Sequence, residues 1–220
     1  MSGWMISSPR HAVKRVIDVA GALVLLAVTS PVVALAALAI RRRMGPPVFF
    51  QQVRVGLRTE PFTLLKLRTM RSPEDHGACP ADDAARLTDL GRWLRATSLD
   101  EIPQLWNVLR GDMSLVGPRP LLPTYLARYS AAQIRRHEVR PGITGLAQVR
   151  GRNALSWEEK FALDVWYVDH WDLRLDLRIL WQTLVSVLRR EGIAAAGHVT
   201  MPEFLGAGHG RSHARRQASS

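Results

Sequence analysis

The stretch VAGALVLLAVTSPVVALAALAI, Val19 to Ile40, runs for 22 residues without a charge, with Lys14 and Arg15 before it and Arg41, Arg42 and Arg43 after it. As one straight α-helix it would measure about 33 Å, just enough to cross a hydrocarbon core of roughly 30 Å. Its flanks argue against a simple crossing. Lys and Arg collect on the cytoplasmic side of a spanning helix, so a straight passage would carry one basic cluster to the far side. A helix that enters the bilayer and returns avoids this, and Ser30-Pro31 near the middle supplies a bend. Pro31 has no backbone N–H and its ring crowds the carbonyl four residues back, while the Ser30 hydroxyl can satisfy a carbonyl freed there. The pattern predicts a re-entrant helix-break-helix centred on Ser30 and Pro31, with a kinked crossing helix as the alternative. A cleaved signal peptide is disfavoured, because the run is too long and no small-residue cleavage site follows it before the Arg triplet.

The 220-residue chain has room for one globular domain beside that segment, and its 47% hydrophobic content suits a packed core. Lys and Arg outnumber Asp and Glu by 30 to 19, giving a formal charge of +11. That excess points to a polyanionic partner, whether nucleic acid, anionic lipid or a phosphorylated substrate, without choosing among them. The single cysteine, Cys79, leaves no disulfide framework and no thiolate metal cluster, which suits a reducing cytosolic face. The sequence carries no zinc spacing, Walker-type phosphate loop or dinucleotide glycine fingerprint.

Three regions follow: a lead and membrane helix over 1–43, one domain over 44–205, and a disordered basic tail over 206–220. Val48 to Val55 and Phe62 to Met70 read as the strands of a hairpin, with Gly56 to Pro61 between them. Arg71 to Asp83 shifts to Pro, Asp, Glu, Gly and Ala and reads as a mobile surface loop. Ile102, Leu105, Trp106 and Leu109 fall at helical spacing, and Gly111 stops that helix. Another helix is expected over Leu121 to His137, and Arg140 to Gly145 reads as a tight loop. Ser156 and Glu159 form a capping box. Leu177, Leu180, Trp181, Leu184, Val185 and Leu188 then make an apolar stripe, stopped by Gly192, that fits either a core helix or one lying in the lipid interface. The expected fold class is α+β: a re-entrant membrane helix plus a small, mainly helical cytosolic domain with a short β-hairpin and interfacial amphipathic helices.

The most pointed chemistry lies in Arg95 to Pro103. Pro103 fits within the first turn of a helix, which places the adjacent carboxylates Asp100 and Glu101 at its N-terminus. One reading is plain capping, since Ser98 and Glu101 have capping-box spacing and acidic residues complement the helix dipole. The other is phosphate chemistry, because Arg95, Arg110, Arg119 and Arg140 recur around Gly/Pro turns. There, one carboxylate can attack phosphorus while the other holds a divalent cation, for which Mg²⁺ is the hard-ligand choice. Arg119, set between Pro118 and Pro120, has the restricted backbone that suits a bidentate phosphate clamp, and equally that of a solvated Pro-rich turn. Lys66 and Arg68 either point to the same site or alternate outward, and His137 reads as structural.

The segments Ser98-Leu99-Asp100-Glu101, Gly111-Asp112-Met113-Ser114-Leu115-Val116-Gly117-Pro118-Arg119-Pro120 and Val139-Arg140-Pro141-Gly142-Ile143-Thr144-Gly145 resemble the bacterial sugar transferases, small monotopic phosphoglycosyl transferases. The resemblance runs from about Lys14 to Gly206. Within that family, Gly151-Arg152-Asn153-Ala154-Leu155-Ser156-Trp157 and Gly197-His198-Val199-Thr200 are most similar to enzymes of bacterial N-glycosylation that transfer phospho-N,N'-diacetylbacillosamine. The resemblance implies a re-entrant helix with both ends cytosolic at the bacterial inner membrane, among its phospholipids. It implies Asp100 as the nucleophile toward the β-phosphate of a UDP-sugar, with UMP leaving and a covalent phosphosugar enzyme remaining. It implies Glu101 as the Mg²⁺ ligand, Arg95 and Arg119 near the phosphates, and polyprenyl phosphate, such as undecaprenyl phosphate, as the acceptor; Lys66, Arg140 and Arg152 are further candidates for the phosphate site. The expected donor is UDP-N,N'-diacetylbacillosamine or a related amino sugar. Pro103 stands where the nearest bacillosamine relatives have Leu, and the His/Arg-rich tail is unlike theirs.

Two other classes are weighed against this. A nucleic-acid binder would explain the charge but not Val19 to Ile40, and the sequence lacks aromatic-basic interleaving, so no nucleic-acid partner is expected. A non-catalytic membrane scaffold would reduce Asp100 and Glu101 to a helix cap.

Overall fold

The computed structural model describes residues 9–71, 86–151 and 154–189, together with Phe204 and Gly206. Arg152, Cys79, Gly192, Gly197 to Thr200, most of the expected surface loop and nearly all of the tail lie outside the described residues.

Helix α1 runs without interruption from Pro9 to Met44, with Pro31 inside it. The expected helix-break-helix is therefore a proline site within one continuous helix, and the local chemistry explains why. Pro31 cannot donate to the carbonyl of Ala27, and the Ser30 hydroxyl donates to that carbonyl instead at 3.0 Å. Thr29 Oγ1 likewise donates to Leu25 O at 2.6 Å.

One face of α1 packs on the domain along both halves. Ala22 and Leu26 join the main core, while Val33, Ala36, Ile40 and Met44 pack with Leu67 and Leu94. On the other face Val16, Val24, Val28 and Leu35 are 62–70% exposed. Polar contacts fasten the two ends to the same domain. Arg15 Nη1 donates to Val108 O at 2.6 Å and Nη2 to Leu109 O at 3.0 Å, Asp18 Oδ1 accepts from Leu115 N at 3.0 Å, and Lys14 pairs with Asp176 at 2.5 Å. At the far end Arg68 donates to the carbonyls of Met44, Gly45 and Pro46. Arg68 is thus the latch of α1 and not a group of the carboxylate site.

The expected hairpin is present, with its second strand ending at Leu67 and not at Met70: β1 (Phe49–Val55) and β2 (Pro61–Leu67) pair antiparallel, from Phe49 opposite Leu67 to Val55 opposite Pro61. Helix α2 (Asp89–Ala96) is capped by Thr88, and α3 (Gln104–Arg110) ends at Gly111, whose φ of 95° lies in the left-handed region. Short strands β3 (Ser114–Val116) and β4 (Gly142–Thr144) pair in parallel, so part of the expected tight loop after Arg140 is a strand. Gly117 makes that pairing possible, since a Cβ there would sit 2.3 Å from the carbonyl oxygen of Arg140. Helices α4 (Leu146–Arg150), α5 (Trp157–His170) and α6 (Leu173–Arg189) complete the domain. The Ser156–Glu159 capping box at the start of α5 is present in both directions.

Two further expectations change. The helix expected over Leu121 to His137 is two 3-10 turns, Pro123–Arg128 and Gln133–Glu138, separated by Tyr129 in an extended conformation. The Tyr129 ring packs on Phe161 and Phe204, a long-range contact that local helix periodicity does not report. The α6 stripe divides: Leu180 packs on the main core, while Leu177, Trp181 and Leu184 are 50–66% exposed. The core itself is built from Leu64, Leu105, Val108, Met113, Leu115, Val116, Tyr167 and Ile179.

His137 is structural, buried with Nδ1 at 3.1 Å from Gly56 O. Burial, with help from Arg136, pushes its pKa down to about 4. Between that value and the unfolded value of about 6.5, the unfolded chain takes up a proton that the folded one resists. Stability contributed by neutral His137 is complete above pH 6.5 and is lost as the pH falls toward 4. Denaturant unfolding should show His137 contributing a loss of about 2 kcal/mol between pH 6.5 and pH 5. That part of the slope should be absent in His137→Gln. Equal slopes in the two proteins would refute it.

Candidate active site

The carboxylates sit where α2 hands the chain to α3. After Thr97 closes α2, Ser98 takes a left-handed conformation with φ of 56°, and Leu99–Glu101 form one 3-10 turn leading into Pro103. The Ser98–Glu101 capping box does not form, because the Ser98 side chain makes no cap bond. Glu101 reaches elsewhere: its Oε1 accepts from Lys66 Nζ at 2.6 Å and from Arg119 Nη2 at 2.8 Å. Charge-assisted bonds to two cations are stronger than a neutral cap, and they decide the local conformation.

Asp100 has no such partners. It is 7% exposed, and no hydrogen bond to its carboxylate is formed by the described residues. Burial and the charge of Glu101 raise its pKa, to about 6, against the opposing pull of Lys66, Arg95 and Arg119. Burial would raise Glu101 as well, but Arg119 and Lys66 overcome it and hold Glu101 well below the usual carboxylate range. Adjacent carboxylates are thereby separated in character: Glu101 is a fixed anion, and Asp100 is a desolvated, more basic oxygen open to attack an electrophile.

Three expected phosphate-site residues gather around the pair. Lys66 comes from β2, Arg119 from the turn after β3, and Arg95 from the last turn of α2, where its Nε donates to Thr69 Oγ1 at 3.1 Å. The Arg119 backbone is held from below: its carbonyl accepts from Arg136 Nη2 at 2.7 Å, and Arg136 forms a buried pair with Asp164 at 2.7 Å. Arg140 does not join them. Its Nε donates to Gly111 O at 2.9 Å, in the neighbourhood of Arg15 and Asp18.

The sequence reading passed over Arg54, the only charged residue between Val48 and Val55. It donates to Pro120 O at 3.3 Å, and burial with the nearby Arg119 charge pushes its pKa down to about 10. Its signal was that isolation on an otherwise uncharged strand. Around Asp100 and Glu101 the cations Lys66, Arg54, Arg95 and Arg119 outnumber the carboxylates, which makes the place attractive to an anion.

Among the described residues no group of three or more His, Cys, Asp or Glu side chains could hold a metal by itself. The donor set does fit a hard cation shared with a substrate. Both cations bind Oε1 of Glu101, and Oε2 receives no hydrogen bond from the described residues. One or two carboxylates plus substrate phosphates and waters is the usual arrangement for Mg²⁺.

Residues 9–190 match the family model described as bacterial sugar transferase. The chain is 54% identical over 195 residues to the uncharacterized sugar transferase EpsL of Bacillus subtilis, covering 89% of this chain and 96% of that protein. It is 47% identical over 195 residues to the UDP-glucose:undecaprenyl-phosphate glucose-1-phosphate transferase of Caulobacter vibrioides, covering 82% and 72% respectively. To the undecaprenyl-phosphate galactose phosphotransferase of Salmonella typhimurium it is 38% identical over 196 residues, covering 81% of this chain and 41% of that protein.

Proposed function

The chain belongs to the bacterial sugar transferase family, and from that membership and the geometry at Asp100 and Glu101 we propose that it moves a phosphosugar from a UDP-sugar to a polyprenyl phosphate. The observation that carries the reading is a nearly buried aspartate that receives no hydrogen bond from the described residues, beside a glutamate pinned by two cations. An Asp100 oxygen attacks the β-phosphorus, the bond from that phosphorus to the bridging oxygen breaks, and UMP departs with the bridging oxygen and its electron pair. A polyprenyl phosphate oxygen then attacks the same phosphorus, and the bond to Asp100 breaks, regenerating the carboxylate. Lys66, Arg95 and Arg119 orient the phosphates and offset their charge. Glu101, with Asp100 beside it, would hold Mg²⁺, which when bound neutralises phosphate oxygens.

The acceptor is confined to the bilayer and the donor to water, so the reaction belongs at the interface. A straight helix of α1's 36 residues would be about 54 Å long, and a crossing would separate its ends across the hydrocarbon core. Both ends are instead fastened to one domain, which favours both lying on the cytosolic side of a bacterial inner membrane, with Pro31 the place where α1 would bend to enter and leave it. The exposed Leu177, Trp181 and Leu184 of α6 would rest on the same lipid surface.

The relatives' names mention glucose and galactose, so the donor is proposed as a UDP-hexose, with UDP-N,N'-diacetylbacillosamine as the narrower expectation from the Gly151 to Trp157 motif. A panel of UDP-sugars assayed for UMP release identifies it. With the right donor and no acceptor, labelled UMP should exchange into UDP-sugar. Transfer to lipid without such exchange would overturn the covalent step.

A further inference from the structure

We infer that Asn107 is a positioning residue: its side-chain amide fixes β2 against α3 and thereby sets the reach of Lys66 onto Glu101. The inference rests on the reaction proposed for that pair. Among the described residues strand β2 is paired with β1 along one edge only, and the open edge of a strand carries unsatisfied N–H and C=O groups. Asn107, 1% exposed on α3, closes that edge. Its Nδ2 donates to Thr63 O at 2.7 Å and its Oδ1 accepts from Leu65 N at 3.1 Å. A carboxamide therefore stands where the peptide of a neighbouring strand would. The second Nδ2 hydrogen goes to Asp112 Oδ2 at 3.1 Å, so both polar atoms of the side chain are used. The backbone carbonyl is engaged as well, accepting from the N–H groups of Gly111, Asp112 and Met113 at 3.0–3.2 Å. That locks the turn at the end of α3.

The consequence lies at both ends of this bracket. Lys66 follows Leu65 directly, and Glu101 lies just before the first turn of α3. Leu64 of β2 and Leu105 of α3 also share one core cluster, but apolar burial is non-directional and does not by itself hold two backbones to the precision of an ion pair. Lysine is a flexible point charge, so an ion pair of 2.6 Å recurs only if the two backbones are held at one separation. A fully satisfied buried amide supplies that constraint. Without it Lys66 withdraws, Arg119 alone remains on Glu101, and the charge facing Asp100 and the reacting phosphate changes, although Asn107, 1% exposed, itself touches no donor atom.

Asn107→Ala removes the bracket. Asn107→Asp keeps its shape and the acceptor for Leu65 N but turns an acceptor toward Thr63 O and Asp112. Each is assayed in the full-length protein, alone and combined with Lys66→Met. The expected result is a fall of about 10- to 100-fold in kcat, with KM for the UDP-sugar changed by less than about twofold. On the Lys66→Met background the same substitutions should cost less than about twofold more. Losses that multiply in the double variants, wild-type kcat in Asn107→Ala, or a rise in KM alone would overturn the inference. Asn107→Ala introduces no charge and keeps the test standing if Asn107→Asp does not fold. A wild-type protein without transferase activity would sink the proposed function; multiplying losses in an active one would sink only the role of Asn107.

Discussion

Asp100→Asn abolishes lipid-linked product and UMP exchange, with kcat reduced by at least about 10⁴-fold, the scale on which removal of a covalent nucleophile is felt. The same substitution raises stability. In metal-free buffer the Asp100 carboxylate is desolvated, lies beside Glu101, and receives no hydrogen bond from the described residues. Its folded pKa, raised to about 6, lies above the unfolded value, so at pH 7 the folded state carries a charge it would prefer to lose. Asparagine has the shape of the neutral form and removes that cost. Allowing for coupling with Glu101, the gain is about 1–2 kcal/mol, read as a higher midpoint in thermal or denaturant unfolding. A loss of activity with a lower midpoint would mean that the aspartate is structural. Retained exchange would mean that it is not the attacking group.

This opposition of stability and activity was only partly legible in the sequence. The residue types and the Pro103 signal put two carboxylates at a helix start, and Gly111, the Ser156–Glu159 box and the two runs of the hairpin were read correctly because each is a local device. The box at Ser98 was misread for an equally physical reason. Its spacing satisfied the local rule, but Lys66 from β2 and Arg119 from the turn after β3 compete for the same glutamate, and neither is near it in sequence. Arg140 shows the same blindness from the other side. A guanidinium that grips a carbonyl at Gly111 and one that faces a phosphate look identical in a string of residues. Tyr129, which interrupts the helix expected over Leu121 to His137, takes its conformation from rings contributed by Phe161 and Phe204.

Glu101→Gln should move stability in the opposite direction to Asp100→Asn while also costing activity. Glu101 is held well below the usual carboxylate range because Arg119 and Lys66 overcome its burial, so its ionised form supports the fold. A group whose folded pKa is depressed contributes stability above its unfolded pKa, and at pH 7 that contribution is fully present and fully lost on neutralisation. Glutamine leaves the Lys66 ammonium and the Arg119 guanidinium with a weak neutral acceptor in place of a shared anion. The unfolding midpoint should fall. Activity should fall by about 10²- to 10³-fold, through loss of the oxygen proposed to face a divalent cation and release of the two cations from their fixed positions. These two causes separate in a titration. If Glu101 holds Mg²⁺, Glu101→Gln needs more metal for half-maximal rate and recovers part of its activity as Mg²⁺ rises. If it serves only to place Lys66 and Arg119, the metal dependence stays at the wild-type value and only the plateau drops. A higher midpoint in Glu101→Gln would contradict the electrostatic account of the pair, because two neighbouring carboxylates would then both be opposing the fold that holds them.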